Sequence, residues 1–291
     1  MKRIVFTVAT GPDKYGEMAM GLGRSLSLIG DETPRVVVTD NRNFEWDRYF
    51  SQVLDPKDGP EGVFFTKYTA LERTDADQVI FIDSDCLAFK RLDPIFDMCA
   101  GSTVAVQGRW ETEGVWYEKS IADLCREFGI SRLPRLNSGV VYYERGPQFD
   151  EVLVKAKEIA GRYNQLGLEV FRGKVPDEPC LSLGIATTGH GNILPQSLNL
   201  NESGVGLIGK LHLDVTTGTC RFVSGNPQVR LVEPYVFHAH YFSKLRVYWR
   251  ELDKLKRLEA HRDKHGARHM SRLIRLRRSF EKRYLKMTGK L

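Results

Sequence analysis

The sequence predicts an α/β fold, a mixed, mainly parallel central sheet flanked by helices, and three observations carry the prediction. Apolar runs rich in β-branched residues alternate with segments of helical period for most of the length. The run Val79, Ile80, Phe81, Ile82 is apolar at every position, as in a strand covered on both faces. At 291 residues, 42% hydrophobic and 27% charged, the chain has the size and composition of one large globular domain.

The elements follow in order. RIVFTVA (3–9) is the first strand, because its apolar stretch is too short for a signal-peptide core. YGEMAMGLGRSLSLIG (15–30) has helical spacing and stops at Gly30. RVVVTD (35–40) is a second strand ending at Asp40, and FFTKYTALERT (64–74) a short helix before the strand QVIFID (78–83). STVAVQG (102–108) and SGVVYYE (138–144) are further strands. YEKSIADLCREFG (117–129) and FDEVLVKAKEIAGRY (149–163) are helices, the former closed by Gly129. Residues 190–235, rich in Gly and Asn, are expected to form irregular structure over the site.

Composition excludes several classes. Five scattered cysteines with no C-x-x-C pair argue against a disulfide framework or structural zinc, and for a reducing, cytoplasmic setting. No apolar run approaches a membrane span. From Lys244 onward, 17 Lys and Arg face 5 Asp and Glu, so the net charge of +6 combines a basic tail with a mildly acidic body. The chain is expected to divide into a domain over 1–250 and a basic amphipathic helical tail over 251–291. In that tail Met270, Leu273, Ile274, Phe280, Tyr284 and Met287 share one helical face among basic residues. Such a helix suits an anionic membrane surface. The alternatives are packing on the body or on a second subunit of a homo-oligomer and, last, nucleic-acid binding.

Function is concentrated in QVIFIDSDCLAF (78–89), where a buried strand runs into Asp83, Ser84 and Asp85. In open α/β sheets ligands bind beyond the carboxyl ends of strands, which is where these acids project. They could cap a turn, attack a phosphoryl group, or hold a metal. The attack reading lacks support, since no D-D or G-D-x-x-x-D for magnesium follows residue 85. Two carboxylates one residue apart can share a divalent cation and leave positions open for a diphosphate and an imidazole. YVFHAHYFSK (235–244) offers His238, His240 and Lys244, the two histidines on one face if the strand continues through both.

VIFIDSD, LNSGVVYY, PDEPCL and HAHYFSK, in this order, resemble the motifs of the family 8 glycosyltransferases, and FTVATGPDKY and FTKYTAL agree with them. The resemblance covers about residues 3 to 250. It implies a single-domain GT-A fold and retaining, metal-dependent transfer of a hexose from a nucleotide-diphosphate sugar, UDP-Gal or UDP-Glc, to a glycan or glycolipid acceptor. It further implies Mn2+ (or Mg2+) on Asp83, Asp85 and His238, with Asp83 and Ser84 near the donor and Lys244 on the diphosphate. Val8, Thr10 and Tyr15 would hold the uracil, Lys67 would lie near the donor sugar, Asn137 and Ser138 would line the sugar pocket, and Asp177 would contact the sugar hydroxyls. Two departures stand out. Tyr241 occupies the place of the family's glycine in H-x-x-G-x-x-K, and the family's common D-Q is Asp177-Glu178 here. A glutamate, unlike a glutamine, can act as a carboxylate nucleophile and form a glycosyl-enzyme. The alternatives are attack by the acceptor from the leaving-group face, with the departing phosphate taking its proton, and a Glu178 that only hydrogen-bonds a sugar hydroxyl. The competing class is a non-catalytic nucleotide-sugar-binding or scaffold protein with a polyanion-binding tail. A sugar-phosphate nucleotidyltransferase would need a Gly-rich loop with an Arg after the first strand, and TGPDKYGEM lacks it.

Overall fold

The computed structural model describes residues 1–57, 63–226, 228–265, 279 and 283. Strand β1 (Arg3–Val8) leads into helix α1 (Asp13–Leu28), followed by β2 (Arg35–Val38) and β3 (Gln52–Leu54). A 3-10 turn at Val63–Tyr68 and the short α2 (Ala70–Arg73) precede β4 (Gln78–Ile82), and β5 (Cys86–Ala88) starts just past Asp83, Ser84 and Asp85. Next come α3 (Asp93–Cys99), β6 (Val104–Glu111), a small hairpin of β7 (Val115–Trp116) and β8 (Lys119–Ser120), α4 (Ile121–Phe128), β9 (Leu133–Glu144), α5 (Pro147–Gly161) and α6 (Asp177–Thr188). The last part holds β10 (Asn192–Leu194), β11 (Asn201–Ser203), β12 (Leu207–Asp214), β13 (Thr219–Ser224), β14 (Arg230–Val232), β15 (Val236–His238) and α7 (Arg246–His265).

The main sheet has the order β10-β6-β9-β4-β1-β2-β3. β4, β1, β2 and β3 run parallel, as do β10 and β6, while β9 is antiparallel to both its neighbours. The mixed, mainly parallel sheet is therefore as expected. All five residues of β4 are buried, which is why Val79–Ile82 after the buried Gln78 reads as uninterrupted apolar sequence. Its alternate side chains feed two cores. Val79 and Phe81 pack with Val141, Tyr143 and the α5–α6 pair, and Ile80 and Ile82 with Leu22 and Leu26 of α1 and Phe96 of α3.

Three expectations need correction. The helix expected over 117–129 begins only at Ile121, because Tyr117 and Glu118 take left-handed φ of 48° and 61° in the turn of the β7–β8 hairpin. Residues 190–235 are not irregular throughout: β12, β13 and β14 form an antiparallel sheet, with Cys220, Phe222 and Ser224 alternating inward. Strand β15 stops at His238, so His240 does not share its face. His240 opens a 3-10 turn, with φ of 40°.

Helix α7 crosses the expected boundary at 250/251 and lies on α1. Tyr248, Leu252 and Leu255 are buried, and Leu252 fills the space a side chain at Gly21 would need. Glu259 binds Arg24 Nε at 2.7 Å and Tyr49 Oη at 2.6 Å. The apolar stripe from Met270 to Met287 lies outside the described residues. No described helix is long and apolar enough to cross a membrane.

Candidate active site

Asp83 and Asp85 occupy a tight connection pinned on both sides. The Asp83 N–H donates to Gly139 O of β9 at 2.9 Å, and the Ala239 N–H donates to Asp85 O at 3.0 Å. The residue that meets them comes from far along the chain. β5 and β15 pair antiparallel with His238 opposite Cys86, so the last residue of β15 is delivered beside the acids. His238 Nε2 lies 3.2 Å from Asp85 Oδ1 and 3.7 Å from Asp83 Oδ2.

The charges set one another. Burial alone would lower the pKa of His238, but Asp85 and then Asp83 outweigh it and push it up to about 9. Burial would raise Asp85, yet the charge and hydrogen bond of His238 hold it below the usual carboxylate range. Asp83 goes the other way: burial raises it, against Lys67 and His238. An imidazolium thus stands between two acids. Two carboxylate oxygens and one imidazole nitrogen are the donor set of a hard or borderline divalent cation, which would displace that proton. Cys86 lies within ligand reach of Asp85 and His238, but burial pushes its thiol well above its ordinary pKa, and its Sγ points at Gly139 O at 3.9 Å. A protonated thiol is a poor partner for Mn2+ or Mg2+.

Beside this cluster lies a second one. Lys67 Nζ, from the 3-10 turn, is 3.1 Å from Asp177 Oδ2, 3.7 Å from Asp83 Oδ1 and 3.2 Å from Ser138 Oγ. Burial would lower its pKa, but Asp177 and Asp83 raise it, so the buried amine is charged. Tyr68 Oη donates to Asp177 Oδ2 at 2.6 Å. Glu178, in the first turn of α6, accepts from Ser138 N at 3.0 Å and from Tyr117 Oη at 3.1 Å. Burial, helped by Asp177, raises its pKa against the Ser138 N–H and Lys67.

Asp83, Asp85, His238, Lys67, Asp177, Glu178 and Ser138 are therefore one contiguous constellation, with Ser84 buried between the acids. Asn137 is attached through its neighbours, since its Oδ1 accepts from Gly139 N and Asn201 Nδ2, both at 2.9 Å. Val8 ends β1, level with Asp83 two places past the Phe6–Phe81 pair, and Thr10 follows two residues beyond the strand. Tyr15 lies half-buried at the start of α1 with Lys14 Nζ 4.9 Å above its ring. Lys244 is exposed at the end of the His240–Lys244 turn, near enough to help lower the pKa of His240, where burial and His238 act more strongly. Tyr68, Tyr117, Gly139 and Asn201 were missed in the sequence. The one signal available was the glycine of LNSG: a Cβ there would come within 2.4 Å of His238 Nδ1.

Among solved structures, an active-site mutant of LgtC aligns with a TM-score of 0.50 at 14% identity, over 81% of this chain and 86% of that one. This chain has the GT-A glycosyltransferase fold. The fold implied by the family 8 resemblance is thereby borne out. Mouse xyloside xylosyltransferase 1 in its apo form aligns with a TM-score of 0.48 at 14% identity, over 70% of this chain and 88% of that one. The galactosyltransferase LgtC in complex with donor and acceptor sugar analogs gives 0.47 at 15%, over 69% and 75%. No family's sequence profile matches the chain, and no curated protein matches it. In this GT-A fold the two clusters lie at the carboxyl edge of β4, next to the carboxyl end of β1.

Proposed function

We propose that this protein is a retaining, metal-dependent hexosyltransferase that takes its sugar from UDP-Gal or UDP-Glc. The single observation that carries the reading is the meeting of Asp83, Asp85 and His238 at the end of β4. Those three residues would hold Mn2+ or Mg2+, and the bound ion would supply positive charge for the departing diphosphate. Lys244 would add a second cation there, while Val8, Thr10 and Tyr15 would seat the uracil. Lys67 would hold Asp177 toward the sugar hydroxyls, with Asn137 and Ser138 lining the pocket.

Glu178 is the proposed nucleophile. Its carboxylate would bond to the anomeric carbon as the bond from that carbon to the diphosphate oxygen breaks, and the acceptor hydroxyl, giving its proton to the released diphosphate, would then replace it from the other face. Ser138 N and Tyr117 Oη hold its two oxygens apart and oriented. Support also comes from its buried position and from the departure from the family's glutamine. The acceptor would be a carbohydrate or a lipid-linked glycan, approached from the cytoplasmic side with the basic stretch beyond α7 at the membrane surface. UDP release in the presence of Mn2+, abolished by chelation and restored by the ion, tests the reaction; no release from either donor would contradict it. Glu178→Gln tests the route. Turnover should fall at least about 100-fold, with no glycosyl adduct by intact mass. Near-normal turnover would rule out Glu178 as nucleophile.

A further inference from the structure

Two residues beside the proposed metal site each leave one buried polar atom without a hydrogen-bond partner among the described residues: His238 its Nδ1 and Asn201 its Oδ1. They stand on paired strands, Asn201 opposite Val236 and Ser203 opposite His238 in the parallel β11–β15 ladder. Both press on the same glycine. A Cβ on Gly139 would lie 2.4 Å from His238 Nδ1 and 2.9 Å from Asn201 Nδ2.

The orientation of the Asn201 amide is fixed from outside. Its Nδ2 donates to Asn137 Oδ1, and that oxygen is itself identified by the Gly139 N–H it accepts. Turning Asn201 alone would set two amide oxygens against each other. Turning both amides would leave the Gly139 N–H facing an amide nitrogen. Asn201 Oδ1 is therefore an acceptor with nothing to accept. His238 supplies the complement. Its Nε2 is committed to Asp85 and Asp83, and when Nε2 gives its lone pair to a cation, the ring proton must sit on Nδ1. That proton lacks an acceptor.

We propose that Asn201 is a positioning residue for the metal site: its Oδ1 accepts a hydrogen bond from the Nδ1–H of His238, directly or across one buried water, and so leaves Nε2 as the nitrogen that gives up its proton to a cation, aimed at Asp83 and Asp85. The proposal rests on the metal reading given above. Asn137 acts one step further out by fixing the Asn201 amide, and Gly139 leaves the space in which the two side chains meet. Outer-shell partners of this kind typically change metal affinity by about 10–100-fold.

The test uses the full chain without any sugar donor. Mn2+ is titrated into the metal-free protein and the free ion read by electron paramagnetic resonance. Asn201→Leu is expected to weaken Mn2+ binding by about 10–100-fold with little change in thermal melting. A folded Asn201→Leu protein with parental affinity would overturn the proposal. If the parent binds no Mn2+, the metal reading itself has failed. A second measurement judges the positioning separately and needs no variant to fold. Spectra of the metal-free parent labelled with 15N-histidine should show a His238 Nδ1–H protected from solvent exchange. An absent or freely exchanging Nδ1–H would overturn it.

Discussion

Lys67 is a charge with no water to return to. Its side chain is 6% exposed and that of Asp177 5%, so removing either partner strands the other in the interior. Lys67→Met should cost about 3–5 kcal/mol in urea unfolding, and adding Asp177→Asn should recover part of it. Full additivity of the two changes would contradict the pairing. Gly139 makes a separate demand: the methyl of Gly139→Ala must push the His238 ring aside, so Mn2+ binding should weaken about 10-fold or more. Unchanged affinity would show that the ring has another place to go. The acids were legible at this scale because the unbroken apolar run Val79–Ile82 leads straight into two of them. Tyr68 and Tyr117 were not, because a tyrosine in an apolar pattern reads as core. Their hydrogen bonds to Asp177 and Glu178 span 109 and 61 positions.

Helix α7 shows what an element contributes beyond its own sequence. Leu252 is 1% exposed against Gly21, and Leu252→Ala should cost about 2–5 kcal/mol. Glu259 is half-buried, which would raise its pKa, but hydrogen bonds from Tyr49 and Arg24 hold it below its ordinary value of 4.5. An acid lowered in the folded state adds stability above its ordinary value and loses it as pH falls through the folded one. The difference in melting between the parent and Glu259→Gln should therefore be full near neutrality and shrink below pH 4.5. A difference independent of pH would place its origin in packing instead. Strand positions were legible from apolar runs, and α1 from its helical period. The direction of β9 was not, because a fully buried strand has the same composition whichever way its neighbours run. The β12–β14 sheet was hidden by short strands and glycine-rich turns, although the period of two was present in TCRFVS. His240 was misplaced since the sequence does not mark where β15 stops turning its residues alternately.

At the scale of the whole molecule, the site is assembled from segments that only the sheet order brings together: the 3-10 turn with Lys67, the end of β4, the start of α6, and β15. Two tasks are proposed for the basic C-terminal stretch, packing on the body by α7 and membrane binding by the part beyond it. Truncation after residue 265 keeps α7 and should leave melting nearly unchanged, while abolishing pelleting with anionic liposomes. Truncation after 250 removes Leu252, Leu255 and Glu259 and should destabilise the body severely. Liposome binding that survives the first truncation would move the membrane surface elsewhere. The central claim is that Asp83, Asp85 and His238 hold a cation for sugar transfer, and the most direct test compares UDP release from UDP-Gal and UDP-Glc by the parent and by a folded Asp85→Asn protein, both in Mn2+. The account predicts Mn2+-dependent release by the parent that falls at least about 100-fold in the variant; equal release by the two proteins, or none from either donor, would contradict it.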